Sequence, residues 1–320
     1  MGTYIVNQPG SAVATFPNNL RVGDILRFNH TGSGADGTLL TWDILNNLKV
    51  QITAVGAGGK SAMNKVGGRP ARMTGDFSLQ KGATLSVLIG QVNDKFTSLG
   101  YSGGGGASGM WHKVSKELLI IAGGGGGCNG GNPTNNPDYW YNGNDASLTT
   151  TGNPGGTNGN GGLSTSSEYV MGGAGWEYDG GGKVNEDMLR LPQALKSGGL
   201  GGVTKTWANG GFGGGGGGLY AGGGGGYSGG NSGGSSSPAG GGGSYNAGTN
   251  RSNRIENVYS SNGFIEVTIL QTGQINFGIP LYTKIGSVVK EYDSGWVNIN
   301  GTLKELDKMW TKINGTLREV

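Results

Sequence analysis

Cysteine and histidine are almost missing from this chain: Cys128 stands alone, and His30 and His112 are the only imidazoles in 320 residues. A single cysteine excludes an intramolecular disulfide framework and a cysteine-based zinc site. Charge is scarce too, at 13% of residues, and the balance of 23 basic to 20 acidic groups leaves a net +3. So mild and dispersed a charge gives no nucleic-acid footprint. Nowhere do about 18 apolar residues follow one another, so no membrane-spanning helix is expected. The N-terminal MGTYIVNQPGSAVATFP has neither a basic head nor an apolar core of signal-peptide length, and the expectation is a soluble chain made without Sec-type export. Helical periodicity is nearly absent. Its best candidate is Asn185–Lys196 (NEDMLRLPQALK), which Pro192 limits to a short helix.

What is abundant is glycine, with 73 residues, and 21 of the 34 residues from Gly210 to Gly243. The flanks of the glycine-rich region read as β-structure. Leu48–Ala54 alternates Leu48, Val50, Ile52 and Ala54 with polar residues, the period of a half-buried strand. Leu85–Ile89 and Leu118–Ala122 are short apolar runs suited to deeper strands, Ile25–Phe28 and Met73–Leu79 are weaker candidates, and Gly263–Leu270 is a clear late strand. That last strand is too isolated to own a core. It must pair with the early strands, so the glycine-rich chain between them has to leave and return.

A Gly/Ser linker is the bland reading of such composition. Against it, serine is sparse outside Ser235–Ser237, and Phe212, Tyr220, Tyr227 and Tyr245 punctuate the runs as plugs would. Ordered oligoglycine adopts the polyproline II conformation, with three residues per turn and about 3.1 Å rise per residue. Its N–H and C=O groups point sideways and need neighbours to bond. Close lateral packing then requires positions without Cβ. The cost is conformational entropy, roughly 1–2 kcal/mol per residue ordered, so only an extensive lateral network anchored on a core would hold. The expected fold is mainly β with glycine helices: a jelly-roll-like β-sandwich over residues 1–272 with a polyglycine II helix bundle inserted at about 100–250.

The remaining residues, 273–320, differ in composition. Trp296–Leu306 and Trp310–Val320 repeat a W-x-x-I-N-G-T-L-x-E pattern, each placing Asn-Gly between alternating segments. Asn-Gly there is the strongest short-range signal for a type I′ hairpin. A small β-hairpin module is expected, or a peptide that pairs with a partner's sheet edge.

Several blocks occur in a telling order: LKVQITAVGAGGKSA (Leu48–Ala62), DFSLQKGATLSVLIGQ (Asp76–Gln91), ELLIIAGGGGG (Glu117–Gly127), GGFGGGGGGLYAGGGGGYSGGN (Gly210–Asn231) and NGFIEVTI (Asn262–Ile269). Together they resemble the glycine-rich extracellular domain of the anaplastic lymphoma kinase and leukocyte tyrosine kinase receptors. That resemblance implies a TNF-like β-sandwich carrying a packed bundle of glycine helices. The receptor domains hold several cysteines where this chain has one, and there is no kinase or membrane portion, so signalling and cytokine binding are not carried over. The W-x-x-I-N-G-T-L-x-E repeat is similar to C-terminal elements of phage and prophage virion proteins. Glycine-helix bundles also resemble the adhesin tips of T-even-like phage tail fibres.

Chemistry is thin. Three G-x-S-x-G matches, at Gly100–Gly104, Gly226–Gly230 and Gly230–Gly234, are what a glycine-rich chain produces by chance. None opens a helix as an esterase elbow must. No metal-ligand spacing, phosphate loop or cofactor motif is present. The exposed candidate is NPDYWYNGND, in which Tyr139, Trp140 and Tyr141 adjoin Asn142 and Asp145; a second cluster holds Trp176 and Tyr178. Ring faces stacking on C–H surfaces, with amides or carboxylates on hydroxyls, are the chemistry of sugar recognition. Aromatics capping the edge of a bundle would give the same pattern. The expected function is a non-enzymatic phage virion protein (tail fibre, baseplate or appendage tip), made in the bacterial cytoplasm and presenting loops to a host-surface glycan or protein receptor. Its C-terminal hairpins would join other virion proteins. The rival reading is an adhesin or structural module of the bacterial surface, and a lesser one a hydrolase acting on surface polysaccharide. No cofactor, nucleic acid or membrane insertion is expected, and oligomerisation is left open.

Overall fold

In the computed structural model the residues described are 2–8, 13–94, 100–130, 141–165, 169–235 and 237–273, followed by six short strands of known pairing. The chain divides into two compact units, Met1–Gly273 and Gln274–Val320.

The first unit is mainly β. Its strands are β1 (Thr3–Gln8), β2 (Val13–Ala14), β3 (Ile25–His30), β4 (Leu40–Asp43), β5 (Leu48–Val55), β6 (Ala71–Leu79) and β7 (Thr84–Leu88). They continue with β8 (Ser108–His112), β9 (Leu118–Ala122), β10 (Met188–Arg190), β11 (Val203–Thr204), β12 (Tyr245–Asn246), β13 (Thr249–Ile255) and β14 (Phe264–Thr272). One six-stranded sheet runs in the order β1-β3-β14-β5-β6-β13 and another in the order β12-β9-β8-β7-β4-β2. Both are mixed, because β1 pairs with β3 and β2 with β4 in parallel while the other pairs are antiparallel.

The alternation read in Leu48–Ala54 buries Leu48, Val50, Ile52 and Ala54. From β14, Ile265, Val267 and Ile269 point the same way. They share one core with Leu40, Trp42, Leu85, Val87, Met110 and Ile120 of the facing sheet, the layered arrangement of a β-sandwich. Fully burying each aliphatic side chain there contributes about 1.5–3 kcal/mol. β14 lies between β3 and β5, antiparallel to both, so the late strand does complete the early sheet.

The glycine-rich chain leaves from one end of this sandwich. It departs β5 at Val55 and returns to β6 at Ala71, departs β7 and returns to β8, and departs β9 at Ala122 to return only at Tyr245. Glycine-rich segments therefore begin at residue 56, well before the expected start near 100. These segments bond to one another through their backbones, and bonds between the same two segments recur every third residue. Gly124 and Gly127 N–H groups donate to Gly225 and Gly222 carbonyls at 2.8 and 2.9 Å. Gly222 and Gly225 donate in turn to Ser102 and Gly105, both at 3.0 Å. Gly68 and Ala71 donate to Gly126 and Gly123, and Ala57 and Lys60 to Gly106 and Gly103.

Close approach is what glycine supplies here. A Cβ on Gly124 would run into the Gly105 carbonyl, and one on Gly224 into the Gly124 carbonyl. Methyls are accepted only at selected points, such as the fully buried Ala57, Ala107, Ala174, Ala221 and Ala239. Aromatic residues fill the side of the array that lies over the second sheet. Trp111 of β8 meets Trp176 edge-to-face at 5.1 Å, and both pack with Leu88, Ile121, Leu195 and Phe212. Tyr227 and Tyr245 stack at 5.2 Å beside that cluster.

The helix expected over Asn185–Lys196 does not form. Asn185 Oδ1 accepts the N–H groups of Asp187 and Met188, both at 2.9 Å, a side-chain turn that competes with helix initiation. Met188–Arg190 then extends as β10 against β11. After Pro192, which has no N–H to give, only the single 3-10 turn Leu195–Ser197 remains.

In the second unit β15 (Leu281–Ile285) pairs with β16 (Val288–Tyr292), β17 (Trp296–Ile299) with β18 (Thr302–Glu305), and β19 (Trp310–Ile313) with β20 (Thr316–Glu319), all antiparallel. Residues 300–301 and 314–315, the Asn-Gly pairs read as turns, lie outside the described residues.

Candidate functional site

Where the glycine segments turn back, other residue types return, and the candidate site is built from these interruptions. The first turn, Lys60–Lys65, is closed by reciprocal Ala62 and Lys65 backbone bonds of 3.1 Å. Beneath it the fully buried Ser102 hydroxyl accepts the Cys128 N–H at 2.7 Å and lies 2.7 Å from the Lys60 carbonyl and 2.9 Å from that of Cys128. Ala62 donates its N–H to Cys128 Sγ at 3.1 Å, and burial pushes the Cys128 thiol up from its ordinary pKa. A thiol held neutral and enclosed is a packing residue.

The other serines of the G-x-S-x-G matches are also built in. Ser228 Oγ accepts the Gly159 N–H at 3.1 Å, and Ser232 Oγ accepts that of Thr165 at 3.0 Å. All three serines are buried.

The residues proposed from sequence fall into two separate places. Tyr139 and Trp140 lie outside the described residues. Tyr141 is partly exposed and joins Asn129 by two backbone bonds, of 2.8 and 2.9 Å. Asn142 is exposed, but its Oδ1 accepts the Val66 N–H at 3.1 Å. Asp145 is engaged more fully. Its carboxylate takes the Arg69 backbone N–H at 2.7 Å and is gripped by the guanidinium, Nη2 to Oδ2 at 2.7 Å. That pairing tethers the 141–146 segment to 66–69.

Trp176 needs correcting as a ligand-contact residue: it is 5% exposed and wedged against Trp111. Its polar sequence neighbours suggested exposure, whereas its partner in space lies on β8. Tyr178 is open, at 64%, in a tight turn where its carbonyl accepts the Gly175 N–H. The turn is held by a Lys196–Glu177 ion pair and by Asp179 Oδ1 accepting the Ala194 N–H.

A different aromatic group assembles where the segments end. Tyr101 and Tyr220 meet edge-to-face at 5.7 Å, and Tyr169 and Trp207 at 5.2 Å. Backbone contacts link the pairs: Ser102 donates to the Tyr220 carbonyl, Leu219 donates to that of Tyr169, and Gly218 bridges both Val170 and Ala208. On the other side Tyr101 bridges Asn129, which bridges Tyr141. Tyr101 is buried, and burial raises its phenol pKa, with Tyr220 beside it adding to the rise. Tyr141, Tyr169, Trp207 and Tyr220 all keep part of their surface open. Sequence reading missed Tyr101, Tyr169 and Trp207 as site residues and took Tyr220 for a plug. The available signal was position, since each ring stands where a glycine run starts or stops.

Among the described residues no three His, Cys, Asp or Glu side chains are grouped as a metal site, and no helix is long and apolar enough to cross a membrane. Compared with known families and with curated proteins, the chain matches none.

Proposed function

We propose that the glycine-rich array is a bundle of polyglycine II helices, and that the chain is a non-enzymatic attachment protein at the tip of a phage tail fibre or similar appendage. The observation that carries the reading is the third-residue recurrence of the bonds between segments. It matches the three-residue turn of the polyproline II conformation. A bundle held by backbone bonds and rooted in a sandwich is stiff without a large apolar core. Its interruptions are then held in place before any partner arrives, which lowers the ordering cost of binding. Presentation of loops to a host-surface glycan or protein is the use this construction serves best. The repeated tail hairpins, similar to C-terminal elements of virion proteins, would join the chain to its neighbours in the particle.

Immunogold electron microscopy of phage particles from the encoding strain, using antibody to the purified chain, tests the reading. Label at the distal end of an appendage is expected. Particles without label, with gold instead on the surface of uninfected cells, would make the chain a bacterial surface adhesin.

A further inference from the structure

Resting on that attachment reading, we infer that the aromatic row Tyr141, Tyr101, Tyr220, Tyr169 and Trp207 is a binding platform for an extended glycan chain. The argument begins with two aromatic sets on one array. Trp111, Trp176 and Phe212 are all enclosed, at 0, 5 and 0% exposure, and their office is packing. The row at the segment ends is built differently. Four of its five residues are only partly buried, although burying an aromatic side chain is worth far more to stability than leaving it half open.

The placement is continuous from segment to segment. Tyr141, Asn129, Tyr101 and Tyr220 sit on chain segments that bridge one another in turn, and the 218–221 segment reaches Tyr169 and Trp207 on its far side. Neighbouring bonded chains lie about 5 Å apart, so four such steps reach at most about 19 Å. That is a surface for several sugar units end to end, and no pocket for a single small molecule. The paired rings are mutually supported edge-to-face, so little rotamer freedom is lost when a ligand settles on them.

The chemistry favours a glycan over other long ligands. Phenol and indole groups offer apolar faces with hydroxyl and N–H donors at the rim, which suits C–H surfaces interleaved with hydroxyls. No Asp or Glu occurs from Thr206 to Asn250, so the segments carrying Trp207 and Tyr220 have nothing to attract a cationic peptide. A lipid surface would call for exposed aliphatic side chains, whereas Val170 beside Tyr169 is fully buried and Leu219 beside Tyr220 is only partly exposed.

Affinity electrophoresis of the full chain through gels containing chitin oligosaccharides, dextran, alginate or purified envelope polysaccharide of the host provides the test. Retardation by at least one polysaccharide is expected. Trp207→Ala and Tyr220→Ala should each weaken it by about tenfold, equivalent to ~1.4 kcal/mol. Trp207→Phe should restore most of it by returning a ring, and Tyr259→Ala, at an exposed tyrosine outside the row, should leave it unchanged. Thermal melts of each variant separate lost binding from lost folding; the Phe variant serves where the Ala variant unfolds. No retardation by any of the polysaccharides overturns the inference, as does equal retardation of wild type and a folded Trp207→Ala. Binding of the wild type to intact host cells but to none of the glycans leaves attachment standing and removes this platform. Binding to neither removes both.

Discussion

At the scale of single residues, the array turns on where a Cβ has room. Gly224 has no left-handed φ, yet a methyl there meets the Gly124 backbone carbonyl. Gly82 is the converse, with φ +86° and nothing within 4 Å of an added Cβ. Gly224→Ala should destabilise by about 1–3 kcal/mol or more through overpacking, and Gly82→Ala by about 1–2 kcal/mol through backbone conformation alone. Urea titration of the two variants separates the causes, and equal midpoints would mean that lateral packing matters little. A second residue-scale effect concerns His30. Its Nδ1 accepts the Gly32 N–H at 2.9 Å, which requires that nitrogen to be unprotonated, and partial burial holds its pKa below the ordinary 6.5. The unfolded chain therefore takes up the proton first. Stability is fully present above pH 6.5 and falls as pH drops through that value toward the folded pKa. Unfolding midpoints measured from pH 7.5 to 5 should show this loss, and His30→Gln should flatten it. A wild-type profile no steeper than the variant's would count against the assignment.

At the scale of elements, legibility followed periodicity. Leu48–Ala54 could be read because burial alternates along its first half, over Leu48–Ile52, and Leu118–Ala122 because it is short, apolar and followed by glycine. β13 (Thr249–Ile255) gave no signal, since nearly every side chain on this edge strand is exposed. The 185–196 segment misled because helical spacing of Met188, Leu191 and Leu195 coincides with a route dictated by Asn185 and Pro192. The open aromatic row was hidden for another reason. Tyr101, Tyr169, Trp207 and Tyr220 come from four separate segments, and only the array's register brings them together. That register is testable. Amides of Gly222–Gly225, each bonded across to another segment, should exchange hundreds of times more slowly than unstructured glycine, consistent with opening free energies of about 3 kcal/mol or more. Exchange at the unprotected rate throughout Gly210–Gly243 would return the region to a linker and remove the basis of both proposals.

For the whole molecule, the division at Gly273 has consequences for what each part can do. Met1–Gly273 contains both sheets, their common core and the glycine array. A chain ending at Gly273 should therefore melt within a few degrees of the full-length protein, the spread expected for less than about 1 kcal/mol in a domain of this size. Differential scanning calorimetry of the two chains checks this, and a large fall in melting temperature would show that the first unit leans on the second. The second unit contributes three two-stranded pairings, and an isolated pair of strands is marginal in water when alone.

The backbone-to-backbone bonding of the glycine segments also shapes how the protein responds to temperature. Unfolding an ordinary domain exposes mostly apolar surface and raises the heat capacity by about 12–15 cal/mol/K per residue, while newly hydrated peptide groups lower it. In this chain a large share of what is buried is peptide, from segments such as Gly123–Gly127 and Gly222–Gly226. Its heat-capacity increment per residue should fall clearly below that range, giving a broad, shallow stability curve. A calorimetric increment at or above the ordinary value would argue against it. A protein with such a curve would keep its shape nearly unchanged over a wide span of temperature.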